Sequence, residues 1–587
     1  MDLINIFARV LFLPKFKFTF NYKTMKVTQE PVTLDKVLED FIFEIPLYQR
    51  EYSWELEQVS DLFYDIENAN NGHFLGSILL YSKDDNKKIK EVIDGQQRLT
   101  SIFLILYGIK KILDLTEDPT YSKAKEVINN LLYNRSKNLL DDDKSIDPRL
   151  VTGKRDKKVF KAILSGQETN EVSDKRYKSH KLLLNSFDKF ICPKLEKLKE
   201  RDGFSGLVQF AQKVLSCEFI VMTAEKVSDK ILLFKTLNAR GIELTQADLI
   251  KNEVCNSPKK VNEDEAVELW DEIRDLIEGV KGNIDNFLFY YINSLSDAQE
   301  SRRKIERKRN IDNKTDSYPP VPEKYIFDVY DEKLKNIDDT KKFLMEIKKS
   351  AKHYAEIYNP SDDKLYLVGL KTMVITKCYS LLLRGKVVLS DKVFDQLSKA
   401  VECISFRHSI IRNDPKELEK LYYILASKLN SDTDIAVVIE DIKQHPTMKQ
   451  HEKFKQEFIA ASPKINIAKM ILERIVNSSA EAINKDAKDI HLEHIMPQKP
   501  KDSWMLLKNS DSELYELSVA RLGNLTLLKN KLNQIASNND FEKKKVLYRE
   551  SRLKITNDLI KYDTWDFDTI VLRQENLFEE AIKIWNI

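Results

Sequence analysis

Apolar positions along the chain fall into distinct regimes. In His73–Tyr81 (HFLGSILLY) and Lys88–Ile93 (KIKEVI) they form short runs, which read as strands flanking a polar turn at Asp84-Asp85-Asn86. From Leu99 to Leu113 they recur at helical spacing, and from Leu115 to Lys260 helix-like runs alternate with charged turns. Tyr325–Ala480 reads as mostly amphipathic helix. Its most apolar part, Leu365–Leu383, is interrupted by Lys371 and Lys377, which predicts a buried helix and not a membrane span. A last strand-like run starts at Ile490 and is stopped by Pro497.

Punctuation between these runs carries the chemistry. Asp94-Gly95-Gln96-Gln97-Arg98 sits where a strand turns into a helix. A helix N-terminus there favours an anion, Gly95 allows close backbone approach, and the Arg98 fork matches a phosphate. Asp94 can hold Mg²⁺ or a water, and the glutamines can reach a base, ribose or phosphate. A capped helix with a paired arginine has the same spacing. Upstream, Ile45–Trp54 (IPLYQREYSW) places Tyr48, Gln49 and Arg50 near by, although Pro46, Tyr48, Tyr52 and Trp54 also suit a packed loop. In Phe234–Asn252, Asn238–Gly241 reads as a helix end and Thr245–Asp248 as the next helix start.

Near the C-terminus, IHLEHIMPQKP puts the carboxylate of Glu493 beside the imidazole of His494. RLGNLTLLKNKLN then places Gly523-Asn524 in a turn and Asn533 near a helix start, nine positions after Asn524. This order resembles the ββα-metal arrangement of an HNH nuclease. A neutral imidazole takes a proton from water near pH ~6.5, which makes His494 the candidate base. Carboxylate and amide oxygens suit Mg²⁺ or Mn²⁺, which makes Glu493 and Asn533 candidate ligands. Asn524 is expected to orient the His494 ring. Strict strand alternation sends Glu493 and His494 to opposite faces, so the strand must twist or end there for both to converge. His491 suits either an extra ligand or a solvent-facing position.

Length, charge and cysteines narrow the class. The 587 residues imply several domains, and a net charge of +2 confines any nucleic-acid surface to local patches. Two such patches are Arg302–Arg309, in the charged Gln299–Lys324 stretch that reads as an exposed connector, and Lys543-Lys544-Lys545 with Arg549, Arg552 and Lys554. Solvated helix faces fit both equally well. The five cysteines are scattered without a C-x-x-C pair, which points to a reducing, cytoplasmic setting and away from a zinc module. Residues 1–25 read as an extension, with Met25 as an alternative start.

Together, IPLYQREYSW, FLGSILL, VIDGQQRLT and FKTLNARGIELTQADLIKN resemble the N-terminal domain of the GmrSD-type modification-dependent restriction endonucleases. EHIMPQ with LGNLTLLKNKLN resembles their C-terminal HNH domain. The resemblance implies an α+β multidomain chain: a ParB/sulfiredoxin-like nucleotide-binding domain over 26–260, a helical middle over 261–430 and an HNH domain over 431–587. It implies that Asp94, Gly95, Gln96, Gln97 and Arg98 form the nucleotide motif, with Tyr48, Gln49 and Arg50 as neighbours. It further implies that Glu493, His494, Asn524 and Asn533 form the nuclease motif. Some HNH helices carry a second ligand four positions on; here that position is Ser537, so a metal held more by water is expected. The expected activity is nucleotide-regulated cleavage of foreign, modified double-stranded DNA in anti-phage defence, with a nucleoside triphosphate and Mg²⁺ as cofactors. Two alternatives stand beside it: a nucleotide-switched DNA-binding protein with an inactive HNH region, and an RNA-directed nuclease. The sequence leaves open a monomer or homo-oligomer and calls for no membrane.

Overall fold

The computed structural model describes residues 25–27, 30–47, 49–70, 72–82, 88–134, 147–174, 177–224, 245–256, 259–308, 321–478 and 489–587. Tyr48, Asp84–Asn86 and Asn238–Gly241 lie outside these residues. Two compact units emerge. One is built from residues up to Trp270 with Ile337–Lys341, the other from Asp271–Asn336 and Lys342–Ile587.

The first unit is organised on a seven-stranded sheet. Its strands are β1 (Met25–Val27), β2 (Val32–Thr33), β3 (Ile42–Glu44), β4 (Phe74–Tyr81) and β5 (Ile89–Asp94), then β8 (Leu150–Val151) and β9 (Glu218–Ala224). Between them, β6 (Tyr133–Asn134) and β7 (Asp147–Pro148) make a separate small ladder. The order is β1-β9-β4-β5-β3-β8, with β2 also on β9. Strands β4 and β5 are antiparallel, as the two apolar runs and their polar turn imply. The β9–β4, β5–β3 and β3–β8 pairs are parallel. Gly95, at φ 97°, ends β5 and starts the Gln96–Leu113 helix, a conformation that only glycine adopts without strain. That helix is buried along most of its length and packs on the Cys192–Leu215 helix, which explains its apolar character on all sides.

The second unit is mostly helical. Its core gathers Phe406, Phe454, Phe458, Phe578 and Trp585, with Phe406 and Trp585 stacked at 4.0 Å. Arg474 and Glu402 form a buried ion pair at 2.7 Å, which burial opposes by raising the Glu402 carboxyl to about 7. Leu365–Leu383 is two helices, Leu365–Thr372 and Tyr379–Val388, and not one. The break falls at Val374, exposed at φ 60°, in a β-branched stretch that disfavours helix. The charged run after Gln299 begins as a helix, Ala298–Lys308, with a Glu300–Lys304 pair at 2.9 Å.

Two strands complete this unit: β10 (Ile490–His494) and β11 (Leu525–Lys529), antiparallel, with His494 opposite Leu525 and Glu493 opposite Thr526. The stretch joining them is no tight turn, since it holds the helices Ser503–Ser510 and Ser512–Val519. The Asn530–Ala536 helix follows β11 at once. The order strand, strand, helix thus matches the expectation.

Candidate functional site

In the second unit, the end of β10 is held from both sides. Asn524 closes the short turn Leu522–Asn524 before β11, fully buried. Its Oδ1 accepts from Met496 N (2.7 Å) and Trp565 Nε1 (3.0 Å), and its Nδ2 donates to Met496 O (2.9 Å) and Val519 O (3.1 Å). All four hydrogen-bonding positions of the amide are engaged. Contrary to the expectation that it orients the His494 ring, Asn524 spends its side chain on Met496, Val519 and Trp565, and so fixes the backbone two residues further on. Gly523 is required next to it, because a Cβ there would lie 2.1 Å from Ile570 O. Arg573 donates to the carbonyls on either side, Gly523 O (2.6 Å) and Leu525 O (2.7 Å).

Strand alternation persists at the end of β10. Glu493 is 4% exposed and turns inward, where its Oε1 accepts from Lys544 Nζ (2.7 Å) and Tyr548 Oη (3.2 Å). Burial raises the Glu493 carboxyl and lowers the Lys544 ammonium, and each opposite charge pulls the other back. His494 is half-buried, and among the described residues neither ring nitrogen is hydrogen-bonded. Burial, reinforced by the Lys544 charge, lowers its pKa, so the imidazole is neutral and proton-accepting at pH 7. Asn533 donates through Nδ2 to Leu492 O (3.2 Å), leaving Oδ1 without a partner among the described residues. His491 is exposed.

The DGQQR stretch in the first unit is differently engaged. Arg98 donates to the main-chain carbonyls of Leu75 and of Ser77 (3.0 Å), with Asp94 3.7 Å away. Gly76, at φ 87°, leaves the guanidinium room. Gln96 donates to Arg50 O (3.2 Å). Gln97 bridges Glu51 O (3.2 Å) and Ser53 N (2.9 Å), and Gln49 donates to Ile93 O (3.0 Å). Tyr52 N donates to the buried carboxyl of Asp156 (2.7 Å), which desolvation raises to about 6. The glutamines and Arg98 thus brace the 49–53 loop and β4, while the N-cap of the Gln96–Leu113 helix carries no side-chain hydrogen bond. Arg98 as placed donates to the backbone of β4.

Two family models match this chain: "GmrSD restriction endonuclease, N-terminal domain" over residues 33–255, and "GmrSD restriction endonucleases, C-terminal domain" over residues 446–580. Together they span more than half of the sequence and include both stretches just described.

The chain belongs to the GmrSD restriction endonuclease family.

Both matched models are named for restriction endonucleases. An uncharacterized protein of Methanocaldococcus jannaschii is 24% identical over 231 residues, covering 35% of this chain and 38% of that protein. Among the described residues no helix is long and apolar enough to cross a membrane.

A divalent ion would need hard oxygen donors. Among the described residues no three His, Cys, Asp or Glu side chains cluster to hold one. Asn533 Oδ1 is an uncommitted hard donor and fits. Glu493, engaged by Lys544 and Tyr548, does not fit as placed.

Sequence reading missed three members of these sites. Asp156 lies in a charged stretch with no distinguishing signal. Arg573 is likewise one charge in a helix. Lys544 had a signal: Phe541, Lys544, Lys545 and Tyr548 recur at the spacing of one helix face, so two lysines of the KKK run share the buried side.

Proposed function

We propose that His494 is the general base of an HNH-type DNA endonuclease in the C-terminal domain. The observation that carries this reading is the His494 ring: unbonded and kept neutral, at a strand end whose backbone is locked. The imidazole takes a proton from water as the water oxygen forms a bond to phosphorus and one P–O ester bond breaks. The departing oxygen leaves with the electron pair and is protonated from solvent. Asn524 keeps the loop after β10 from shifting during this step. A bound Mg²⁺ or Mn²⁺ would neutralise charge at the phosphate, held by Asn533 and water, with Glu493 joining only on release from Lys544.

The family resemblance supports a wider reading, in which the substrate is foreign, modified DNA, the role is anti-phage defence in the cytoplasm, and the N-terminal domain binds and hydrolyses a nucleotide that governs cutting. In that domain Asp94 is part-exposed and lies 3.7 Å from Arg98, while Gly95, Gln96 and Gln97 at the helix start are buried, so a nucleotide would meet Asp94 and Arg98 first. Nucleotide must bind resting and cutting states unequally to shift them. The test is cleavage of a plasmid and phage DNA panel with different base modifications, with and without ATP or GTP and with Mg²⁺ or Mn²⁺. Cutting confined to modified DNA and altered by nucleotide supports the whole reading. Equal cutting of every DNA, indifferent to nucleotide, removes the sensor and leaves a plain nuclease.

A further inference from the structure

We propose that Lys544 is a positioning residue of the nuclease site, one that sets the direction of His494. The inference rests on His494 being the base. Lys544 lies on the Phe541–Arg549 helix and is 0% exposed. Its ammonium makes two bonds, to Glu493 Oε1 (2.7 Å) and to the His494 carbonyl (2.8 Å). The second bond acts on one peptide unit that is also held at its other end. The Ile495 N–H, on the far side of the same peptide plane, donates to Asn524 O (3.0 Å). With its carbonyl and its N–H both fixed, the plane after His494 cannot rotate, so the Cα–Cβ bond that aims the imidazole has a single direction.

Stability alone does not account for a buried lysine here. A buried ion pair is commonly no better than apolar residues of the same volume, and an apolar residue at 544 could not make the bond to the His494 carbonyl. Within the KKK run the roles separate. Lys543 is exposed, whereas Lys545 reaches Glu542 and Tyr562 O at a distance from β10. Lys544 alone of the three touches the residue read as the base. Glu493 then anchors the ammonium, with Tyr548 fixing the carboxylate from the same helix.

The test is single-turnover cleavage at saturating DNA, using a plasmid that the parent cuts, alongside DNA binding and thermal unfolding of the same full-length proteins. His494→Ala serves as control: normal cutting by it overturns the base assignment, whatever Lys544 does. With that control inactive, Lys544→Met is expected to cut at least ~100-fold more slowly with DNA affinity within ~3-fold of the parent. Lys544→Arg, which keeps the charge, is expected to recover at least ~10-fold. Folded Lys544→Met that cuts within ~3-fold of the parent overturns the proposal. If Lys544→Met does not fold, Glu493→Gln and Glu493→Gln/Lys544→Met are compared. Glu493→Gln removes the charge to be neutralised, and at a pH well above ~6.5, where His494 is neutral with or without the Lys544 charge, any remaining effect of Lys544 comes from its bond to the His494 carbonyl. At least ~10-fold slower cutting by the double variant supports the proposal. Equal rates overturn it and leave Lys544 as a counter-ion.

Discussion

The DGQQR stretch and the end of β10 each collect polar residues of the kind used in catalysis, yet they use them in opposite ways. At DGQQR nearly every polar side chain is turned onto backbone: Gln49, Gln96, Gln97 and Arg98 all donate to carbonyls. At β10 the scaffold is supplied by Asn524, Lys544 and Arg573, while the half-exposed His494 ring and Asn533 Oδ1 are left unbonded among the described residues. A reactive site is recognised by the group its neighbours leave free, because a donor already satisfied by backbone must give up that bond before it can serve a ligand.

Replacing each scaffold in turn would break this comparison if the two regions behaved alike. Asn524→Ala has the largest expected cost. It strands four buried partners, at about 4 kcal/mol of stability, and slows cleavage by loosening the loop after His494. Chemical denaturation beside a cleavage assay measures both. Arg98→Met is expected to lower stability by about 2–3 kcal/mol, because two carbonyls lose a charged donor, while DNA cleavage by the folded fraction keeps its single-turnover rate in the absence of nucleotide. Gln97→Ala is expected to lower stability by about 1 kcal/mol and to increase proteolysis in the 49–53 loop.

The pH profile sharpens the same contrast. A general base must be neutral, so cleavage falls as pH drops through the His494 pKa. Because burial and Lys544 lower that pKa, the acid limb is expected below the ordinary histidine value of about 6.5. A limb at or above 6.5 in single-turnover rates contradicts the environment described for the ring.

Much of the frame was legible from residues alone. Short apolar runs located β4 and β5, helical periodicity located Gln96–Leu113, and the Thr245–Asp248 start appears as reciprocal bonds at 3.2 Å opening the Gln246–Asn256 helix. Glu493 and His494 keep strand alternation, one residue inward and the other half-exposed, so the convergence expected of them is absent from their placement. What local pattern could not reveal was the partner of each polar group. Glu493 finds Lys544 51 positions away, and Arg98 finds Leu75 across a hairpin. The KKK run looked like a surface patch because charge dominates a short window, although its Phe541–Tyr548 periodicity marks a buried face. Leu365–Leu383 read as continuous because apolar content hides a break at Val374.

The most direct test of the account is single-turnover DNA cleavage by His494→Ala, measured beside its thermal unfolding and DNA affinity. The ring makes no hydrogen bond among the described residues, so its loss is expected to leave fold and binding close to those of the parent while cleavage falls by ~10²–10⁴-fold. A folded His494→Ala protein that cuts as fast as the parent contradicts the assignment of the base, and with it the contrast drawn between the two sites.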